Sequence, residues 1–197
     1  MRIFIRDCLT FFSVVLTAPL WIAVNLIGFG GREVGLFVSF GQGLSLIPGW
    51  LGTFSRRAFY LMTLDACSRD VGIGFGTWFS KRRVRISTRV SIGAHCLIGS
   101  CSIGDGTLLG SNIDVLSGRH QHVSDGSAHS RREQESIFTQ VQIGRNVWIG
   151  NRATVMANIG DDSVIGAGGV VVKAIPRDAI AVGNPARIVR SNSIPKE

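Results

Sequence analysis

Residues 141–171 read VQIGRNVWIGNRATVMANIGDDSVIGAGGVV, and an aliphatic side chain returns in them on a six-residue step: Ile143, Ile149, Val155, then Ile159, Ile165, Val171. Neither the 3.6-residue period of a helix nor the two-residue period of a strand produces that spacing. The same phase holds upstream in Ile86, Ile92, Ile98 and in Ile103, Leu109, Val115, giving twelve positions in four groups of three. Gly follows directly at eight of the twelve: Gly93, Gly99, Gly104, Gly110, Gly144, Gly150, Gly160 and Gly166. A small residue there is expected to let the chain corner tightly. Each aliphatic side chain can then point inward and stack on its counterpart one coil away. The pattern predicts an all-β prism of short parallel strands. The shortened steps from Ile98 to Ile103 and from Val155 to Ile159 predict altered corners, and the break between Val115 and Ile143 predicts an excursion over residues 117–140.

Outward from the repeat, the composition is apolar and rich in Gly, with 25 in 197 residues, which argues against disorder and against a charged helical bundle. The formal net charge is +8, but the basic residues are scattered in small groups with no basic helix and no aromatic-interleaved motif. That arrangement argues against nucleic acid and fits anionic lipid or a polyanionic cofactor. Cys8, Cys67, Cys96 and Cys101 form no CxxC pair and read as small buried hydrophobes in a reducing compartment.

Residues 8–30 carry no charge and have about the length a helix needs to cross a bilayer core. Residues 34–55 form a second uncharged stretch, read as the return arm of a hairpin or as a re-entrant or interfacial segment. Arg2 and Arg6 before the first arm and Arg56 and Arg57 after the second place both ends on the cytoplasmic side by the positive-inside rule. A cleaved signal peptide and a wholly soluble protein with a buried hydrophobic helix are the competing readings, and no A-x-A-like site supports the first. The predicted organisation is a membrane-associated helical segment over 1–55, an amphipathic connector over 56–70, the repeat domain over 71–190 and a tail over 191–197.

Residues 141–187, with ValTrpIleGlyAsn, GlyAlaGlyGlyValValValLys and ValGlyAsnProAlaArg, closely resemble the C-terminal half of the hexapeptide-repeat acetyltransferases, among them the galactoside, maltose, nodulation-factor and streptogramin enzymes. The resemblance spans roughly residues 71–190. It implies a left-handed parallel β-helix, a homotrimer, and acetyl-CoA held between neighbouring subunits with no metal required. The N-terminal region through Arg56–Tyr60 looks more like acyltransferases of bacterial surface-polysaccharide clusters. That implies a sugar acceptor, lipid-linked or nucleotide-activated, at the cytoplasmic face of the inner membrane.

Acyl transfer to a hydroxyl needs a base near neutral pKa and donors for the oxyanion. Of the four His, His95 reads as a corner residue, whereas His120, His122 and His129 lie in the polar excursion SGRHQHVSDGSAHSRREQESIF. The family motif at the start of such a loop places the base at His120, with His122 as the fallback. The resemblance also implies Trp148 on the acceptor side, and Asn151, Ala167, Val172, Lys173, Arg187 and Arg190 against CoA. A backbone N–H near Trp148 to Asn151 is the expected oxyanion donor. The family's ProGlyValThr corner is replaced here by Ala157-Asn158. Two rivals remain: a zinc enzyme of the γ-carbonic-anhydrase type using His95, His120 and His122, and a non-catalytic membrane assembly platform.

Overall fold

The computed structural model describes residues 2–27, 33–118 and 139–191. The six-residue pattern folds into a three-sided parallel β-helix. Its first face stacks Ala66–Cys67, Val84–Ile86, Cys101–Ile103 and Val141–Ile143, and bridges at Ile159 and Ile175 extend it. The second stacks Gly72–Ile73, Ser91–Ile92, Leu108–Leu109, Trp148–Ile149, Val164–Ile165 and Ala179–Val182. The third stacks Trp78–Phe79, Leu97–Ile98, Asp114–Val115, Thr154–Val155 and Val170–Val171. Register keeps each inward residue over its equivalent, as where Ile149 pairs with Leu109 on one side and Ile165 on the other. All twelve aliphatic residues of the repeat are buried, so the stacked side chains form the core.

The corners are made differently from the sequence expectation. Positive φ falls three residues before the inward side chain, at Arg89, His95, Asn112, Asn146, Arg152, Asp162 and Asp178, and at Gly76, Gly106 and Gly168. Asn and Asp hold four of those seven non-Gly sites, as suits residues that tolerate this region. The turned backbone is satisfied coil to coil: Asn146 N–H donates to Asp105 O at 2.8 Å, and Asp162 N–H to Arg145 O at 2.8 Å. The Gly after the aliphatic has another role. A Cβ on Gly150 would lie 2.5 Å from the Ala167 nitrogen, and one on Gly144 2.5 Å from the Asp161 nitrogen. Those glycines are required by the approach of successive coils.

Both altered steps and the excursion fall on one edge, between the third and first faces. The chain turns there from Ile98 to Cys101 and from Val155 to Ile159, and it leaves the prism after Ser117 and rejoins it at Thr139, whose N–H donates to Ser117 O at 3.1 Å.

The N-terminal apolar stretches are helical and close the open end of the prism. They form α1 (Arg2–Ile22, continued by a π-helical turn Ala23–Ile27), α2 (Glu33–Ser45) and α3 (Gly49–Thr63). Helix α1 packs on α3, α2 on the Trp78–Phe79 strand, and α3 on the first two strands. Phe37, Phe59, Tyr60 and Phe79 form a buried aromatic cluster, with the Tyr60 and Phe79 ring centroids 4.4 Å apart.

Two expectations are corrected here. Among the described residues no helix is long and apolar enough to cross a membrane. Arg56 and Arg57 are buried, so they cannot act as headgroup-facing charges of a hairpin or an interfacial connector. Arg56 donates from Nε to Ile73 O at 3.0 Å, and from one terminal nitrogen to Ile47 O at 2.8 Å and Leu44 O at 3.2 Å. Arg57 donates to Val71 O at 2.8 Å and Arg69 O at 3.0 Å. At the far end, Arg187–Ser191 pairs antiparallel with Ala179–Val182 and closes the second face.

Candidate functional site

Outward-facing positions differ sharply between faces. On the first face they are Arg85, Ser102 and Gln142, whereas on the second they become Leu108, Trp148, Val164 and Ile180 on consecutive rungs. Trp148 is 58% exposed and Leu108 49%. An apolar ladder facing outward on a rigid prism is a surface prepared for contact. The sequence signal was available: the residue before each inward aliphatic turns apolar at these four places, while at Ser91 it is polar.

The ladder ends on arginine. Arg190 pairs with Ile180 and Arg187 with Val182 on the closing strand, and both guanidiniums are on exposed residues. Three rungs of parallel and antiparallel pairing separate Trp148 from Arg190, roughly 14 Å at the usual interstrand spacing. Asn151 and Ala167 sit on the corner bordering this face, one coil apart. Asn151 Oδ1 accepts the Ser111 N–H at 2.8 Å, and Asn151 O accepts the Gly168 N–H at 2.8 Å. Ala167 is exposed beside it.

The remaining site residues lie elsewhere. Val172 and Lys173 stand on the edge between third and first faces, the edge from which the excursion leaves. In a triangular prism that edge is opposite the second face. One protomer therefore gathers Trp148, Asn151, Ala167, Arg187 and Arg190 on one side and holds Val172, Lys173 and the stems of the excursion on the other. His120, with His122 and His129, lies outside the described residues. His95 occupies a corner with φ 56° and meets the Phe75 ring edge-on at 5.4 Å, as a structural corner residue does.

Part of the oxyanion expectation is corrected. Trp148 N–H donates to Ser163 O at 3.0 Å and Gly150 N–H to Ile165 O at 2.8 Å, so the sheet occupies both amides. Thiol chemistry is disfavoured at the described cysteines: burial pushes Cys67 and Cys101 up to about 12 and raises Cys96 as well. Along the edge between first and second faces, carboxylates are engaged by arginine, Asp105 by Arg89 and Asp161 by Arg145 at 3.0 Å. No group of three His, Cys, Asp or Glu able to hold a metal ion occurs among the described residues.

A family model described as the hexapeptide repeat of succinyl-transferase matches residues 89–118 and 140–173, the coils on either side of the excursion. Residues 89–118 and 140–173 thus carry hexapeptide repeats. Galactoside O-acetyltransferase of Escherichia coli (strain K12) is 37% identical to this chain over 93 residues, covering 45% of the chain and 43% of the relative. The chain thus spans less than half the length of that curated relative. Among solved structures, a maltose O-acetyltransferase from Clostridium difficile 630 superposes with a TM-score of 0.69 at 23% identity, covering 82% of this chain and 89% of that one. A hexapeptide-repeat acetyltransferase of Vibrio cholerae O1 biovar eltor, solved with acetyl coenzyme A, gives 0.67 at 24% identity and covers 85% and 92%. At these identities the structural likeness speaks for the fold.

Proposed function

We propose that the chain is an acetyl-CoA-dependent O-acetyltransferase that acetylates a sugar hydroxyl and is assembled as a homotrimer. The observation that carries this reading is the outward ladder Leu108–Trp148–Val164–Ile180 on the second face, ending on Arg187 and Arg190 and bordered by Asn151 and Ala167. A long thioester with a polyphosphate end fits such a surface: apolar contact along the rungs, guanidinium at the phosphates. Val172, Lys173 and the stems of the His120 excursion complete the site from the opposite edge of a neighbouring subunit.

The transfer we infer is direct. His120 takes the acceptor hydroxyl proton as the oxygen attacks the thioester carbonyl. The tetrahedral intermediate collapses by breaking the C–S bond, and the same imidazole returns the proton to the departing CoA thiolate, leaving the ester and free CoA. A water-poor slot between subunits supplies orientation. The similarity to galactoside O-acetyltransferase supports a sugar acceptor.

The test is an acceptor screen on purified protein with acetyl-CoA, read as free thiol release, beside direct measurement of CoA binding. The proposal requires acceptor-dependent thiol release that falls about 100- to 10,000-fold in His120→Ala with CoA affinity retained. Absence of CoA binding would overturn it in favour of a non-catalytic platform.

A further inference from the structure

Helix α1 is turned inside out. Its protein-facing side carries Thr10 and Thr17, 6% and 4% exposed, with Val24 following in the π-helical turn. Its outer side carries Phe12, Val15, Leu16 and Ile22, continued by Leu26, and Phe12, Leu16 and Leu26 are 64%, 63% and 66% exposed. Positions 12, 15, 16, 19, 22 and 26 recur by threes and fours, so they form one stripe. A helix facing water and a protein core would reverse this order.

Its polar groups are folded back onto the helix backbone, as they are in an apolar solvent. The Thr17 hydroxyl donates to Ser13 O at 2.8 Å, and Asn25 Nδ2 donates to Trp21 O at 2.8 Å. The link from α2 and the start of α3 repeat the arrangement. Leu46, Ile47, Trp50 and Leu51 are exposed, while the Ser55 hydroxyl returns to Leu51 O at 2.9 Å and Arg56 and Arg57 point inward. Residues 8–31 and 34–55 contain no charged side chain at all.

We propose that this helical cap seats in the interface of an anionic lipid bilayer, with α1 in the membrane plane, its apolar stripe among the acyl chains, and the β-helix in water. Charge complementarity selects lipid over a second copy of the chain. Arg82 donates to Asn25 Oδ1 at 3.2 Å, which pins the turn bearing exposed Arg83 to the end of α1, and Arg2 and Arg6 precede the stripe in a chain of net charge +8. Basic residues adjoining an apolar stretch, in the fold at Arg83 and in the sequence at Arg2 and Arg6, favour anionic headgroups over a second copy with the same charge. Trp21 and Trp50, both exposed, are of the type that lodges at the lipid–water boundary. Because α1 is packed on α3, and α3 on the first coils, the cap holds the helix along a surface.

The experiment uses the full chain and vesicles of phosphatidylcholine alone or mixed in equal parts with phosphatidylglycerol. Cosedimentation is expected with the mixed vesicles, falling with added salt and reversed by alkaline carbonate. Phe12→Ser, Leu16→Ser and Leu26→Ser together should lower the partition coefficient about a hundredfold or more, with melting temperature and CoA binding unchanged. No sedimentation with the mixed vesicles, carbonate-resistant insertion, or undiminished binding of the triple variant would each overturn the proposal. CoA binding on the same preparations reports on acetyl transfer separately, so the two readings fail independently.

Discussion

From a position 1% exposed, Arg56 holds the Ile73 carbonyl at 3.0 Å, and with it the carbonyls of Leu44 and Ile47. Those oxygens belong to the end of α2, the link to α3 and the first coil, so one guanidinium closes the junction between cap and prism. Burial lowers its pKa from the usual arginine value, yet arginine stays protonated where lysine would not. Arg56→Ala should destabilise the protein by about 3 kcal/mol or more, since several buried acceptors lose their donor together. Arg56→Lys should recover little, because one ammonium cannot reproduce the planar fork. Thermal melts of the two variants check this, and a wild-type melting temperature in either refutes it.

Two glycines of the same repeat should respond in opposite ways. Gly150→Ala drives a Cβ to 2.5 Å from the Ala167 nitrogen in the next coil, a backbone atom that cannot step aside. A loss of about 3 kcal/mol or more is expected. Gly106 has φ 69° and nothing within 4 Å of its missing Cβ, and Asn already occupies the equivalent corner at Asn112 and Asn146. Gly106→Asn should therefore stay within about 0.5 kcal/mol. Denaturant midpoints of the pair decide whether coil approach or corner geometry governs each position.

The Asp161 carboxyl is held below the usual carboxylate range, first by the Arg145 backbone N–H at 2.8 Å and then by its guanidinium. Since the folded pKa is the lower one, the contribution is fully present above the unfolded value of about 3.9 and is lost as pH falls through the folded value. Asp161→Asn should flatten that acid limb of the stability profile while leaving neutral-pH stability within the small range of a surface pair. Urea midpoints measured down to about pH 3 test the sign.

The repeat was legible because burial acts at every sixth residue, and one side chain per strand is enough to set register. The reading extended correctly to twelve inward positions but missed Cys67, Ile73 and Phe79, whose hexads lack a run of aliphatics, and it misassigned the role of Gly144 and Gly150. A glycine needed for coil approach and one needed for a turn look alike in sequence. Arg56 and Arg57 misled for a related reason: a charge beside an apolar run looks like a membrane boundary until the carbonyls it satisfies come from residues 9 to 17 positions away. Trp148, Asn151, Arg187 and Arg190 were picked out by resemblance, while the strip that links them, Leu108 to Ile180, was present in the sequence as the apolar residue before each inward aliphatic and was passed over because the stacking of the coils is what puts those residues on one face.

The opposite placement of Trp148 and the excursion makes a prediction about assembly. Trp148 faces outward on the second face, while the chain departs toward His120 at Gly118 and returns at Thr139 on the far edge. If one site takes its imidazole from one subunit and its indole from the next, His120→Ala and Trp148→Ala must each disable every site in a homogeneous trimer. A trimer mixed from equal amounts of the two variants is different. Every ring of two and one then contains a single interface at which an intact His meets an intact Trp, so about one site in three regains both. Coexpression of differently tagged variants, purified through both tags, removes the homogeneous trimers and should therefore restore activity to around a third of wild type per site. Sites contained within single subunits give no recovery, because every subunit carries one defect. Recovery absent from verified mixed trimers would place Trp148 and His120 in the same protomer and remove the intersubunit site, leaving the β-helix itself unaffected.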